Sequence, residues 1–345
     1  MNVLITGGAG FIGINASSYF LRQKHQVTIF DNFSRPGCRD NISWLNHNYK
    51  SKVRIIEGDI CTDRKKLLTC IRNVDAVLHL AGQVAVTTSV EDPVTDFAIN
   101  ARGTLNVLES IRESGSNPML IYSSTNKVYG SLKDLRILES KTRYVFQDLN
   151  FGVPETQNLD FYSPYGCSKG AADQYVHDYS RIYGLNTIVF RQSCIYGSHQ
   201  YGMEDQGWVA WFIIALLQQK KLTIYGNGKQ VRDLLYIDDL LRAYDLALKH
   251  INVTKGQIYN IGGGPQNTIS IWYELKPLLE KLFKKKISAT FSDWRPGDQP
   301  IYISDIRKAK KDFLWKPRVP IRLGMKYLYD WIRQNTQQVR LSKMI

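Results

Sequence analysis

The chain has 345 residues, 43% hydrophobic and 22% charged, with a formal net charge of +14. Such a composition excludes a disordered or fibrous protein, and the length allows one large α/β domain plus a smaller lobe. No apolar run approaches the ~18 residues of a membrane helix, and the initial VLITG (3–7) is too short for a signal peptide, so no integral membrane association is expected.

NVLITG (2–7) reads as a strand running into GGAGFIG, which sets Gly7, Gly10 and Gly13 in a GxxGxxG array where a helix opens with Phe11 and Ile12. Glycines there let the backbone turn tightly and approach a pyrophosphate, whose charge sits at the helix N-terminus. QVTIFD (26–31) is the second strand and ends on Asp31, where an acid accepts from the adenosine ribose hydroxyls. Its charge repels a 2′-phosphate, so NAD is expected over NADP, although the nearby Arg35 argues the other way. Asn32 and Ser34 complete that edge of the cofactor site.

KVRIIEGD (52–59) is the third strand, with Asp59 and Ile60 as an adenine cradle. DAVLHLAG (75–82) brings Leu80, Ala81 and Gly82, followed by Gln83, against the cofactor; His79 within it is expected to be packed. A helix over 92–115 carries Asn100 on the cofactor side. MLIYSS (119–124) leads through Ser123 into the loop SSTNKVYG (123–130), a helical pattern follows over 166–184, and NTIVFR (186–191) is a further strand. Strands alternating with helices imply parallel βαβ units with both sheet faces covered, a doubly wound parallel Rossmann sheet. Residues 1–191 are expected to form the NAD-binding domain. Residues 192–345 form mainly a smaller substrate-binding lobe, with some later segments returning to the sheet. The tail TQQVRLSKMI (336–345) carries few core-forming positions and is expected to be loosely ordered.

Tyr165 and Lys169 are four apart, which puts both on one face of a helix. A free tyrosine titrates near 10 and is a poor base at neutral pH. An adjacent ammonium and a positively charged nicotinamide both favour phenolate, so a phenol lowered by several units is expected. Tyr165 then takes a proton from a sugar hydroxyl while hydride leaves the same carbon. Thr125 holds the oxygen, and Lys169 also grips the nicotinamide ribose.

The five cysteines include no CxxC pair, and the six histidines show no ligand spacing. No metal is expected, and the odd thiol count suits a reduced cytoplasmic compartment. The lysine runs KLFKKK (281–286) and RKAKK (307–311) read as solvated helix faces, and no nucleic-acid partner is expected.

Together with NARGT (100–104), GNGKQVRDLLYIDD (226–239), NIGGG (260–264) and WRPGDQPIYISDIRKAKKDFLWKP (294–317), these elements resemble the extended short-chain dehydrogenase/reductase family of nucleotide-sugar enzymes over nearly the whole chain. The resemblance implies that Arg232 and Arg295 clamp the substrate diphosphate, for which the guanidinium fork is suited. Dehydratases of the family use Thr-Asp-Glu in the reactive loop; the corresponding residues here are Thr125, Asn126 and Lys127. An amide donates no proton usefully and lysine at its usual pKa is no base near neutrality. Elimination of water is disfavoured, which leaves oxidation and re-reduction at one carbon: epimerisation.

DNFSRPGCRDNISWL (31–45), AGQVAVTTSVEDP (81–93), LDFYSPYGCSKGAADQY (159–175) and DQGWVAWF (205–212) narrow the resemblance. It is to the branch that inverts C2 of a CDP-linked 3,6-dideoxyhexose. That implies Asn126 and Gln206 at the substrate and Cys194 as pocket lining, not a nucleophile. It also implies that the helices over 92–115 and 163–183 pair across a two-fold axis in a homodimer or homotetramer. A UDP-sugar 4-epimerase shares the catalytic residues and stays open as an alternative, as does a dinucleotide sensor without activity.

Overall fold

In the computed structural model, which describes residues 1–49 and 52–335, the β-branched runs become strands because such side chains suit a pleated, buried surface. The 336–345 tail lies outside the described residues. The first half reads β1 (Asn2–Thr6), α1 (Phe11–Arg22), β2 (Gln26–Asp31), α2 (Cys38–Tyr49), β3 (Val53–Glu57), α3 (Arg64–Ile71), β4 (Ala76–His79), α4 (Val86–Glu91) and α5 (Pro93–Phe97). A π-helical turn, Ala98–Arg102, joins α5 to α6 (Gly103–Ser114), and β5 (Met119–Thr125) follows. After the short strands β6 (Ile137–Glu139) and β7 (Tyr144–Phe146) come α7 (Pro164–Tyr183) and β8 (Thr187–Gln192).

The second half begins with β9 (Cys194–Tyr196), α8 (Trp208–Leu217), β10 (Leu222–Tyr225) and β11 (Val231–Tyr236). Then come α9 (Ile237–Lys249), α10 (Ile251–Thr254), β12 (Gln257–Ile261), β13 (Thr268–Ser270), α11 (Leu275–Phe283), β14 (Ala289–Ser292), β15 (Ile301–Tyr302), α12 (Arg307–Phe313) and α13 (Ile321–Gln334).

Seven strands form one parallel sheet in the order β12-β8-β5-β4-β1-β2-β3. The order reverses between β1 and β4, the switch point outside which such sheets bind ligands. β3 and β4 stop at Glu57 and His79, short of the segments 52–59 and 75–82 read as strands, because Gly58, Asp59, Leu80 and Ala81 turn into the cleft. The helix read over 92–115 is α5, the π turn and α6 in succession.

The chain crosses between sheet and lobe more than once. β12, far along the sequence, forms an edge of the seven-stranded sheet beside β8. Conversely, the stretch after β5 leaves the sheet for the lobe: Val153 bridges to Ser304, and the Tyr144 N–H donates to the Lys229 carbonyl. One continuous core joins both parts, with Phe190 of β8 stacked on Tyr244 of α9 at 5.6 Å and on Phe313 of α12 at 6.2 Å. Such pairs contribute about 0.5–1.5 kcal/mol beyond area burial.

Candidate active site

The glycine turn after β1 has no room for side chains. Gly7 has φ +70°, and a Cβ there would lie 2.6 Å from the Ala81 nitrogen; one on Gly13 would lie 2.2 Å from the Gly7 carbonyl oxygen. Gly10 caps α1 with no side chain, so first-turn N–H groups face the cleft beside Phe11 and Ile12. Asp31 props the turn: its carboxylate accepts from the Ala9 N–H at 3.0 Å and the Phe33 N–H at 2.8 Å. Burial raises its pKa, and those two N–H groups oppose the rise. Asn32 donates to Asp59 at 2.8 Å, and the Ser34 N–H donates to Asn32 at 3.1 Å.

Ile60, Leu80, Ala81 and Gly82 line the same cleft, as do Ser34 and Arg35. Behind its wall, Asn100 in the π turn accepts from the Gln83 N–H at 3.0 Å. A glycine turn, an uncapped helix start and an acid closing β2 fit a dinucleotide.

α7 supplies the reactive pair. Ser163 caps it by accepting from the Gly166 N–H at 3.2 Å, and Pro164 opens it, so Tyr165 lies in the first turn and Lys169 in the next. Both side chains are buried yet line the second, larger cleft. Lys169 Nζ donates to the Ser123 carbonyl at 2.6 Å and lies 4.3 Å from the centre of the Tyr122 ring. The Thr125 hydroxyl, which acts to lower the pKa of the Tyr165 phenol, donates to the Asn126 side-chain oxygen at 3.4 Å and accepts from the Lys127 N–H at 3.2 Å.

The protein's own side chains do not make the phenol acidic, which leaves the expected lowering to the charge of the cofactor. Burial pushes Tyr165 up to about 12, with Asp96 adding to the rise and the Thr125 bond and Arg35 opposing it. Burial likewise pulls Lys169 down to about 7, against the pull of Asp173 and Asp96. A low-dielectric site penalises both charged forms by more than the neighbouring side chains restore. His79 is packed as read: its ring bonds Thr6 at 2.7 Å and Thr104 at 3.0 Å, and burial lowers it to about 3.

The lobe closes the second cleft, whose volume is ≈ 400 Å³. Asn126 donates to Gln299 at 3.4 Å, and Lys127 Nζ donates to the Gly297 carbonyl at 3.0 Å, 3.8 Å from the Asp298 carboxylate. Asp298 in turn pairs with Arg232 at 2.5 Å. Arg295 pairs with Asp205 at 2.9 Å and lies 3.8 Å from the centre of the Tyr225 ring. Cys194 lines the cleft with its thiol pKa raised by burial. Gln206 faces both clefts and accepts a hydrogen bond from Arg35.

Asp298, Asp205, Tyr225 and Trp208 line this cleft without having been singled out from the sequence. For Asp298 the signal was present, three residues after Arg295 in WRPGDQ.

A parallel sheet that presents a glycine turn and a buried Tyr–Lys pair at its switch point is the architecture of a dinucleotide-dependent enzyme acting on a hydroxyl-bearing substrate. The profile of the NAD dependent epimerase/dehydratase family matches residues 3–262, and the chain belongs to that family. It is 45% identical over 338 residues to CDP-paratose 2-epimerase of Salmonella typhi, across 96% of this chain and 99% of that protein. It is 30% identical over 335 residues to a putative UDP-glucose 4-epimerase of Methanocaldococcus jannaschii, across 97% of this chain and 99% of that one. The crystal structure of UDP-glucose 4-epimerase from Thermotoga maritima with UDP-glucose superposes with a TM-score of 0.83 at 30% identity, covering 97% of this chain and 100% of its own. DesIV, a dTDP-glucose 4,6-dehydratase from Streptomyces venezuelae crystallised with NAD and TYD, gives 0.83 at 27%, covering 98% of each. The cofactor is NAD.

Proposed function

We propose that this chain interconverts CDP-paratose and CDP-tyvelose by inverting C2 through a transient 2-keto sugar. The observation that carries the reading is the reactive loop: Thr125, Asn126 and Lys127 present a hydroxyl, an amide and an amine beside the Tyr165 phenol. The carboxylate that reaches this loop from the lobe, Asp298, is held ionised by Arg232 and Lys127 although burial opposes it. It is therefore a poor acid for expelling hydroxide. The 45% identity to a CDP-paratose 2-epimerase supports the choice of base and carbon.

NAD, when bound, supplies the hydride acceptor and donor and adds positive charge. Gly7 to Gly13, Asp31 and Asp59 hold it, and Asn100 braces the adjoining Gln83 backbone. Tyr165 takes the C2 hydroxyl proton and later returns one, Thr125 holds that oxygen, and Lys169 favours the phenolate. Arg232 and Arg295 grip the diphosphate, so the sugar can turn in the roomy cleft while the nucleotide stays anchored.

The exposed apolar residues Val94 and Phe97 of α5 and Ile182 and Tyr183 of α7 support pairing of these helices in a homodimer. The free cysteines support a cytoplasmic location. The deciding experiment incubates the protein with CDP-paratose and, separately, UDP-glucose in deuterated water and reads the products by NMR. Inversion at C2 without deuterium there is expected. Conversion of UDP-glucose alone identifies a 4-epimerase, and conversion of neither with NAD bound identifies a sensor.

A further inference from the structure

Lys169 is surrounded by groups from five elements. Along α7, Tyr165 stands one turn before it and Asp173 one turn after it. β5 places the Tyr122 ring and the Ser123 carbonyl against its ammonium. β4 brings His79, which burial holds neutral. α5 brings Asp96, and β8 brings Arg191 behind Asp173.

The two carboxylates line neither cleft and are 1% and 0% exposed. Each is fixed in place. Asp96 accepts from the Ser168 hydroxyl at 2.5 Å, on the residue preceding Lys169, and from the Asn100 amide at 3.1 Å. Asp173 accepts the Arg191 fork at 3.0 and 2.9 Å and the Ser124 hydroxyl at 2.6 Å, on the residue preceding Thr125. Both are thus locked to the segments that carry the reactive groups. Neutral donors satisfy the Asp96 carboxylate without cancelling its charge and, with Lys169, oppose the rise in its pKa that burial causes, so the ionised group acts on the neighbouring cation.

We propose that Asp96 and Asp173 are positioning residues that keep Lys169 an ammonium and so set the alkaline limit of turnover. Burial alone drives this lysine towards its neutral amine, and of the protein's charges Asp173 and then Asp96 oppose that drive. Without them Lys169 would lose its proton at lower pH and could no longer favour the Tyr165 phenolate. The turnover half of the proposal rests on the epimerase reading; the ionisation half does not.

The experiment therefore has two readouts on the NAD-loaded protein. Lysine labelled with carbon-13 at Cε reports the titration of Lys169 by NMR, its signal assigned by its loss in Lys169→Met. The pH profile of kcat is measured in parallel with CDP-paratose. In Asp96→Asn and Asp173→Asn the Lys169 midpoint should fall by about one pH unit, the alkaline limb of kcat should fall with it, and Asp173→Glu should restore both. Midpoints unchanged in the folded variants overturn the proposal, as does a midpoint that moves without the limb. If Asp173→Asn does not fold, Asp96→Asn, which leaves the Arg191 pair intact, decides. A wild-type protein that leaves CDP-paratose unconverted overturns the functional reading, while the NMR midpoints still test the bracket.

Discussion

Tyr165 and Lys169, one turn apart on α7, are driven in opposite directions by the same burial: the phenol up to about 12, the ammonium down to about 7. At neutral pH a phenol so placed is ionised to only on the order of 10⁻⁵. Added positive charge must supply the difference. A phenolate absorbance titration, taken as the difference from Tyr165→Phe, should show a midpoint near the raised value after NAD is stripped, and one lower by about 1–3 units after it is restored. Equal midpoints would remove cofactor charge from the account.

Substituting the proton carrier should separate chemistry from binding. Tyr165→Phe keeps the ring and its packing, so NAD content should stay unchanged while kcat drops by about 10²–10⁴. Thr125→Val removes the hydroxyl that bonds the phenol and should lower kcat by a smaller factor, on the order of 10–10² for one lost hydrogen bond of about 1.5–3 kcal/mol to an ionised group. Turnover assays with NAD released by denaturation and quantified check both, and a Tyr165→Phe protein of wild-type rate would exclude the phenol.

The glycine turn and the Tyr–Lys pair were legible in the sequence because each is local: a few residues whose spacing alone dictates a turn or a shared helix face. Strand ends were not. The apolar run through Leu80 continues past His79, and although Leu80 and Ala81 were placed at the cofactor, nothing in the pattern says that the strand itself stops at His79. The burial of Tyr165 was not legible because spacing reports which charges are near, whereas burial depends on what the whole chain packs around the phenol. Asp298 and Lys127 meet across 171 positions, so local periodicity could not pair them. The same limit hid Asp96 beside Lys169.

The Arg191–Asp173 pair should dominate stability near the site. Both side chains are buried, at 3% and 0% exposure, and the fork is bidentate. Arg191→Met leaves the buried Asp173 carboxylate with only neutral donors, the Ser124 hydroxyl and the Gln174 amide, and should destabilise by about 3–5 kcal/mol. Replacing both by apolar residues should recover most of that, since the pair as a whole offsets little more than its own desolvation. Urea unfolding of the two single variants and the double variant tests this; additive losses would contradict it.

Grafting the dehydratase loop should fail to graft its chemistry. Lys127 bonds the Gly297 carbonyl and lies by Asp298, so Lys127→Glu sets one carboxylate against another and cuts the tether to the lobe. The double variant Asn126→Asp, Lys127→Glu should form no product lighter by one water, and its CDP affinity should fall about tenfold, or ~1.4 kcal/mol. Mass spectrometry of the products and calorimetry with CDP check the two halves. A dehydrated sugar would show that the loop alone decides between elimination and epimerisation.

Affinity should reside in the nucleotide and not in the sugar. The charged anchors, Arg232 and Arg295, are held by Asp298 and Asp205, whereas the reactive-loop side of the cleft offers the neutral Thr125 and Asn126 beside a lysine already engaged. Strong contacts to one face of the sugar would favour one isomer and obstruct the turn that inversion needs, since binding both ground states tightly gives no rate advantage. CDP alone should therefore compete with CDP-paratose at a Kd within about tenfold, a difference under ~1.4 kcal/mol. Competition calorimetry on the NAD-loaded protein measures it, and a CDP affinity weaker by several orders of magnitude would place the binding energy on the sugar and exclude a freely turning intermediate.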